Sequence, residues 1–313
     1  MAVMTLPEYA KQKEKTDVSR PIIEMFAQSA DIYEALPFET LGAAVYEGYR
    51  QGQLPSVGFR GINEDSTSGL GKVDPFQEPT YIVDHNIDVD EAIIRRNGMQ
   101  RRAQEETMAM AAHGKMWLDT FIKGDNASNP REFDGLQKRA EKFGRKIAAG
   151  STSGGDALSL AKLDETINNV NKPNAILVGK ALMPRFIAAA RNTSISGFVI
   201  QSWDAVGAPK MTYNGIRIFF GYEKDDHGFI LPFSEANPGG GSAVGTSIYV
   251  MSLGEGKLRG IMLKDLAAED VGLVKTGTRP FYRTHVSWDV GLVDEHKYSF
   301  ARLWGIKDAA FAA

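Results

Sequence analysis

Residues 88–123 constrain the fold most strongly, because they read as one uninterrupted helix. Asp88 and Asp90 can cap its first turn, and Glu91 follows Asp88 by three residues, as in a capping box. No proline interrupts this stretch, and its interior is rich in residue types that favour helices. A helix of this length would span roughly 50 Å, more than the width of a small domain. It predicts a beam across an elongated subunit rather than a coiled coil, because the apolar residues do not form sustained heptads.

Apolar and small residues recur at intervals of three and four along this stretch, which predicts one buried stripe. The stripe comprises Ala103, Thr107, Met110, Ala111, Gly114, Trp117, Leu118 and Phe121. We call the helix predicted at residues 88–123 the spine helix. We expect the large side chains of the stripe to pack it against the protein core: Met110, Trp117, Leu118 and Phe121.

The composition indicates a soluble protein made in a reducing compartment. The 313 residues are 43% hydrophobic and 24% charged, and the net charge of -3 gives no sign of a strongly basic nucleic-acid-binding protein. Cysteine is absent, which excludes disulfides, thiolate metal sites and thiol nucleophiles. No run approaches the roughly 20 apolar residues that a membrane span requires. We therefore expect an intracellular product with no membrane partner.

Residues 46–86 differ in character, because glycine and proline recur throughout them. Two short alternating runs, LPSVGFRGI and PTYIVDHNI, flank the polar sequence NEDSTSGLGKVD. This pattern predicts a long two-stranded ribbon with a polar tip. Isolated ribbons are marginally stable in water, so we expect this one to lie on a neighbouring subunit.

The remaining segments predict an α+β chain. Residues 1–20 read as a flexible charged arm, and residues 21–36 as a short helix that begins at a proline. The sequence STSGGDALSL at 151–160 is a Gly/Ser-rich break, where we place the boundary to a second domain. Beyond it helix and strand patterns alternate, and Asn214–Gly215 predicts a tight hairpin turn.

Sequence motifs for catalysis, phosphate binding and metal ligation are absent. The glycine-rich sequences do not open helices as phosphate-binding loops do. One group of residues could hold a cation: Asp84, His85, Asp88 and Asp90. Helix capping explains the same residues with fewer requirements, since a Ca²⁺ loop needs more oxygen ligands and a positioned glycine. We expect no enzymatic activity, no cofactor and no metal.

Charged residues cluster on the spine helix despite the balanced total charge. Two interpretations stay open: a solvated helix face with weak intrahelical pairs, or a contact with the acidic ribbon tip or with phosphate. The candidate inter-subunit contacts on these grounds are Arg60, Glu64, Asp65, Phe76, Arg95, Arg96, Arg101 and Arg102.

The order of these parts resembles that of tailed-bacteriophage major capsid proteins, which share the Hong Kong 97 type capsid fold. Five local sequences carry the resemblance along nearly the whole chain: ALPFET (35–40), LPSVGFRGINE (54–64), FIKGDNASNPREFDGL (121–136), YNGIRI (213–218) and WDVGLVDEHKYSFARLWGI (288–306). Each is weak alone, and their order makes the resemblance specific.

The resemblance implies a name for each part of the chain. Residues 1–45 would be the N-terminal arm and helix, 46–87 the extended E-loop, and 88–150 the peripheral (P) domain with the spine helix. Residues 151–270 would be the axial (A) domain, and 271–313 C-terminal strands returning to the P domain.

The function implied by the resemblance is mechanical. Copies of the chain would form the pentamers and hexamers of an icosahedral phage head that encloses double-stranded DNA, contacted without sequence specificity. The implied partners are other copies, a portal, a separate scaffolding protein and a decoration protein, since the N-terminus leaves no room for a fused scaffold. The protein would be made in the bacterial host cytoplasm and reside in the virion.

Two alternatives remain at this point. The same fold builds the shells of encapsulin nanocompartments, which hold cargo protein instead of nucleic acid. A soluble α+β enzyme is the remote alternative, and a pocket of convergent titratable groups would favour it.

Overall fold

Two β-sheets and a projecting ribbon organise the chain in the computed structural model, which describes residues 3–12, 30–192, 199–203, 209–221, 223–224, 228–276 and 279–312. The strands are β1 (Met4–Thr5), β2 (Pro37–Thr40), β3 (Val45–Gln53), β4 (Lys72–Pro79), β5 (Tyr81–Asp90), β6 (Lys146–Ala148), β7 (Ala175–Gly179), β8 (Val199–Trp203), β9 (Pro209–Tyr213), β10 (Ile216–Gly221), β11 (Glu223–Lys224), β12 (Gly228–Phe229), β13 (Thr246–Met251), β14 (Leu258–Thr276), β15 (Arg279–Asp294) and β16 (Phe300–Ile306).

Helices connect and cover these strands, which confirms the predicted α+β class. They are α1 (Leu6–Gln12), α2 (Glu91–Asn97), α3 (Gln100–Lys123), α4 (Leu136–Lys142), α5 (Leu160–Asn168) and α6 (Met183–Arg191), with short 3-10 turns at Asp31–Glu34 and Lys180–Leu182. None of the helices in the described ranges is long and apolar enough to cross a bilayer.

The first sheet has the strand order β1-β2-β14-β15-β5. Its centre is a long antiparallel hairpin, in which Leu258 of β14 pairs with Asp294 of β15. Helix α3 packs against this sheet, and the Trp117 ring lies 6.0 Å from the ring of Trp288 in β15. The buried aromatic contact fixes the helix on the sheet.

The second sheet has the order β6-β16-β13-β7-β10-β9-β8. Its central strand β7, AILVG, is buried along its whole length, and Leu163 of α5 and Phe186 of α6 pack into the same core. Asn214 and Gly215 join β9 to β10 with φ angles of 48° and 80°. Positive values at both positions are those of a tight primed turn, which confirms the predicted hairpin.

The spine helix is shorter than the sequence predicts. Asp88 lies in β5, where it pairs with β15, so the predicted capping box at Asp88 is wrong. Helix α2 begins after Asp90 and ends at Gly98, whose φ of 77° breaks the helix before α3 begins. The remaining spine, α3, has 24 residues and is therefore about 36 Å long.

Asp90 caps α2, and its replacement has a predictable cost. Its carboxylate oxygen Oδ1 accepts a hydrogen bond of 2.8 Å from the backbone N–H of Ala92. We expect Asp90→Ala to lower the free energy of unfolding by about 1 kcal/mol, because one helix-end donor loses its partner. Asp90→Asn keeps an acceptor and should be nearly neutral. Urea denaturation of both variants checks the prediction, and equal losses would contradict it.

The predicted ribbon is present, but its strands lie elsewhere in the sequence. β3 and β4 pair from Val45↔Pro79 to Gln53↔Lys72, and the connection between them covers 54–71. LPSVGFRGI therefore belongs to the connection, and PTYIVDHNI lies in β5 of the first sheet from Tyr81 onward. Alternation alone could not separate these segments, because an exposed loop and a sheet strand here share the same pattern.

The N-terminal segment contradicts the prediction of a flexible arm where it is described. Leu6 and Ala10 of α1 are buried in the core of the first sheet, and Met4 pairs with Phe38 of β2. The predicted helix 21–36 falls largely on residues 13–29, which lie outside the described residues. Its end, Asp31–Glu34, is a 3-10 turn.

The domain boundaries proposed from the sequence remain predictions. Strands β14 and β15 lie in the first sheet and β16 in the second, so the chain passes between the sheets after Asp294. Strand β14 extends across the predicted boundary at residue 270.

Candidate assembly surfaces

The tip of the ribbon exposes large apolar side chains. Val57 and Phe59 have relative exposures of 90% and 110%, and the others of this set are similarly open. The set, which we call the apolar tip, is Leu54, Val57, Phe59, Ile62 and Leu70. Several large exposed apolar side chains within one short segment are typical of a protein–protein interface. The sequence prediction missed these residues because most of them lie in LPSVGFRGI, which was predicted as a strand, and alternation is also typical of half-buried strands.

Hydrogen bonds within the tip join residues 60 and 61 to Glu64. The backbone N–H of Gly61 donates a hydrogen bond of 2.7 Å to Oε2 of Glu64, and Arg60 donates one of 3.1 Å to the Glu64 carbonyl oxygen. Arg60, Glu64 and Asp65 are all exposed. Glu64 thus shapes the turn of the tip, and its outer surface stays available to a partner.

Arg139 of α4 anchors one strand at the root of the ribbon, where the ribbon leaves the subunit. Its two terminal nitrogens donate hydrogen bonds of 2.8 Å to the two carboxylate oxygens of Glu78 in β4, and Nη2 also donates to the Leu292 carbonyl at 2.9 Å. Its side chain is buried, so the bidentate pair is shielded from water. This contact joins the ribbon to α4 and β15.

Arg50 and Arg259 anchor the other strand of the ribbon. Arg50 donates a hydrogen bond of 2.7 Å to the Asp294 carbonyl oxygen, and its guanidinium lies 3.9 Å from the centre of the Phe76 ring. Arg259 donates a hydrogen bond of 3.2 Å to the Tyr46 hydroxyl in β3, and it also binds the carboxylates of Glu39 and Glu295. The root is therefore fixed by several charge-assisted contacts, while the tip projects without them.

Two of the predicted inter-subunit residues make their contacts within the chain. Phe76 is half-buried at the ribbon root between Tyr46 and Arg50. Arg102 is buried and donates hydrogen bonds to Asp270 at 2.6 Å and Thr284 at 2.7 Å. Contacts of Phe76 and Arg102 with another subunit remain predictions, and sequence spacing did not show that β3 and β14 reach these side chains.

The remaining arginines of the cluster lie on the outer surface of α2 and α3. Arg101 pairs with Glu105 on the same helix, and Arg95 lies 3.9 Å from Glu91. Arg95 and Arg96 are exposed. The intrahelical interpretation thus accounts for Arg101 and Arg95, whereas a contact of this face with another subunit remains a prediction.

The predicted spine core lies at the interface between α3 and the first sheet. Met110, Trp117, Leu118 and Phe121 are all buried, with relative exposures of 1% or less. The Trp117 ring stacks on Phe121 at 5.2 Å and lies 5.4 Å from Tyr33.

Two aspartates of β5, Asp84 and Asp88, lie next to basic side chains of β15. Asp88 accepts two hydrogen bonds of 2.7 Å from Arg283, which hold the pKa of its carboxyl below the ordinary range. Asp84 lies 3.4 Å from His285. In the described part of the chain no three His, Asp or Glu side chains converge as metal ligands would.

A histidine pair connects β5 to the spine helix. The rings of His85 and His113 lie 5.1 Å apart, and burial, with a smaller contribution from His85, lowers the pKa of His113. The folded state therefore binds a proton at His113 less readily than the unfolded chain, whose histidine titrates near about 6.5. Stability should fall as the pH drops below about 6.5, because protonation then favours unfolding.

Substitution of His113 tests this pH dependence. We expect the melting temperature to fall less between pH 7.5 and pH 5.5 in His113→Gln than in the unchanged protein, as measured by differential scanning fluorimetry. His296→Gln, in the loop between β15 and β16, is the control and should leave the contribution of His113 unchanged. An unaltered pH slope in His113→Gln would contradict the assignment.

The sequence and the fold of the chain are both similar to those of known proteins. Residues 14–160 match the family model described as major capsid protein GP7. No curated protein matches the sequence.

Solved structures share the fold across most of the chain. The encapsulin SrpI of Synechococcus elongatus PCC 7942 is 14% identical, with 100% of this chain and 99% of that chain covered and a TM-score of 0.61. A structure of Microbacterium phage Oxtober96 is 13% identical over 88% and 90% of the two chains, with a TM-score of 0.60. The capsid of an empty GTA particle is 10% identical over 89% and 90%, with a TM-score of 0.59.

These proteins share the overall fold of this chain at low sequence identity, and that fold is of the Hong Kong 97 type. The match of residues 14–160 to this family, together with the shared fold, makes the chain similar to the major capsid proteins of tailed phages.

Proposed function

We propose that copies of this chain assemble into the pentamers and hexamers of an icosahedral phage head that encloses double-stranded DNA. The apolar tip is the observation that supports this most directly, because the side chains of Val57, Phe59 and Ile62 are almost fully exposed in the isolated subunit. Such side chains gain about 1.5–3 kcal/mol each when a partner buries them. Repeated around a closed shell, contacts of this size give a durable container.

The ribbon acts in this proposal as the E-loop, which covers a neighbouring subunit. Its root is fixed by Arg50, Arg139 and Arg259, so the direction of the ribbon is set before assembly. The tip then meets its partner without a large loss of conformational freedom. Residues 1–45 would serve as the N-terminal arm, and the first and second sheets as the bodies of the P and A domains.

The contact between the ribbon tip and a neighbouring subunit would also have a polar part, formed by charged residues of the tip and of the outer surface of the spine. Arg60, Glu64 and Asp65 are exposed on the tip, and Arg95 and Arg96 on α2. Opposite charges at these positions favour one docking register and accelerate encounter.

The further partners follow from the same function. A closed head requires a portal for DNA entry, a scaffolding protein that directs closure and, in some shells, a decoration protein. Double-stranded DNA would be contacted through its phosphates, without sequence specificity. The subunit would be made in the host cytoplasm and end in the virion.

An encapsulin-like shell is the second candidate function, favoured by the match to SrpI over the full length of both chains. Purification followed by negative-stain microscopy tests the shared prediction, which is closed particles of uniform size. The contents separate the candidates: nuclease-protected double-stranded DNA supports the phage head, and a stoichiometric cargo protein supports the nanocompartment. A compact monomer under all conditions would overturn both.

A further inference from the structure

A cavity of about 280 Å³ lies between the segment that follows α4 and the loop that joins β15 to β16. Its walls combine three basic side chains with aromatic rings. The basic ones are Arg145, Lys146 and Lys297, and the aromatic ones are Phe143, Tyr298 and Phe300. No carboxylate lines it among the described residues. A cavity of this composition favours a negatively charged occupant.

Arg145 is the least satisfied basic group in this cavity. Its side chain is only 7% exposed, and its one ion pair with a described residue joins Nη1 to Oδ2 of Asp294 at 3.4 Å. Neither Nε nor Nη2 has a hydrogen-bond partner within the described part of the chain, although both atoms are buried. Buried donors without an acceptor cost free energy, so their retention requires an explanation.

The two unpaired donors lie on the same edge of the guanidinium. Nε–H and one N–H of Nη2 point in parallel, which is the fork that binds two oxygens of a carboxylate or phosphate. Asp294 uses the other terminal nitrogen, so this fork has no acceptor among the described residues. Both donors are buried in the isolated subunit, so an oxyanion would reach this edge by displacing the side chains that cover it.

The surrounding charges do not neutralise this edge. Asp294 is shared, because its Oδ1 contacts Ser299 and its backbone carbonyl accepts from Arg50. Burial also raises the pKa of the Asp294 carboxyl, which weakens it as a counter-ion. Lys146 and Lys297 add two further positive charges at exposed positions.

Aromatic contacts account for only part of the environment of Arg145. Its guanidinium carbon lies 5.1 Å from the Phe143 ring centre and 5.2 Å from that of Phe300. A ring attracts a cation through its face, yet it is a poor acceptor for N–H donors. The rings thus hold the side chain in place and leave its hydrogen bonds unmade.

We propose that this cavity is a binding site for a small oxyanion of the phosphate or carboxylate class, held bidentately by Nε and Nη2 of Arg145 and drawn in by Lys146 and Lys297. Nothing in shell assembly requires this site, so the proposal stands apart from the proposed function. The site would bind its anion in the isolated subunit.

Calorimetric titration of purified subunits tests the proposal, with inorganic phosphate and acetate as separate probes against sodium chloride of equal ionic strength. We expect saturable binding with a dissociation constant of about 1 mM for at least one of them, as suits a ligand of so few atoms. Binding of phosphate alone would identify a phosphate-type source, and binding of acetate alone a carboxylate.

Two variants connect the binding to the cavity. Arg145→Lys removes the fork and should weaken binding at least tenfold, because an ammonium cannot form the bidentate contact. Lys297→Met, at an exposed position, should weaken binding about fivefold with no loss of folding. Lys162→Met on α5 removes the same charge at a position outside the cavity lining and should bind as the unchanged protein does.

Two results would overturn the proposed anion site. No saturable heat with either anion, or unchanged affinity in both Arg145→Lys and Lys297→Met, would assign the cavity no ligand. Should Arg145→Lys fail to fold, Lys297→Met against its Lys162→Met control decides alone.

Discussion

Replacing Val57, Phe59, Ile62 and Leu70 with serine should abolish shell assembly and leave the subunit folded. These side chains touch little of their own subunit, since each is at least 90% exposed. Burying the four against a neighbour would contribute about 6 to 12 kcal/mol per ribbon, at about 1.5–3 kcal/mol each. Sedimentation velocity should show only small species, whereas the melting temperature of the subunit should stay within about 2 °C of the original.

A charge-only variant of the same tip separates apolar from polar contributions. Glu64→Gln combined with Asp65→Asn removes both negative charges and keeps the apolar tip. Exposed ion pairs contribute about 0–1 kcal/mol each, so this variant should still assemble, with slower kinetics. Normal shells from the serine variant would place the tip outside the interface, and unfolding of its subunit would make the tip part of the core.

The ribbon shows how far a sequence pattern reaches. Recurrent glycine and proline predicted an extended excursion, and β3 and β4 are that excursion. The position of the strands was wrong because pairing depends on which residues meet across the ribbon, and not on alternation. The exposure of Phe59 could not be predicted, because alternating patterns are also typical of half-buried strands.

For the spine helix, the buried residues were predicted correctly, but the start of the helix was not. The three-and-four spacing singled out Met110 and Trp117, and both side chains are buried. The start of the helix was wrong, because Ile87 and Val89 are buried in β5 and pair with β15. Tertiary pairing of this kind overrides local helix propensity, and no local signal reveals it.

The charged residues were the least predictable part of the candidate site. Arg139 was treated as one member of a basic helix, yet it is buried and holds Glu78 of the ribbon from 61 positions away in sequence. Arg102 reaches Asp270 over an even longer separation. Contacts between residues so distant in sequence become visible only once the sheet order is known.

Trp117→Ala should be the most destabilising single substitution of the spine. The ring is 1% exposed and lies between 5.2 and 6.0 Å from Phe121 and Trp288, at the junction of α3 with the first sheet. Its removal leaves a cavity that the sheet cannot fill, at a cost of about 3–5 kcal/mol. A loss of this size is a large share of the stability of an ordinary domain, so we expect mostly insoluble subunits.

Two further variants serve as controls. One keeps an aromatic ring at position 117, and the other substitutes an exposed residue of the same helix. Trp117→Phe keeps an aromatic ring and removes an indole N–H that has no hydrogen-bond partner among the described residues, so it should cost far less than alanine. Met116→Ala changes the next residue of α3, which is 46% exposed, and should shift the urea midpoint only slightly. Soluble Trp117→Ala subunits that match Met116→Ala in stability would show that the aromatic cluster does not hold the spine. A large loss confined to Trp117→Ala would instead show that the helix is fixed to the sheet mainly through this ring, because the neighbouring position shares its helix propensity but not its burial.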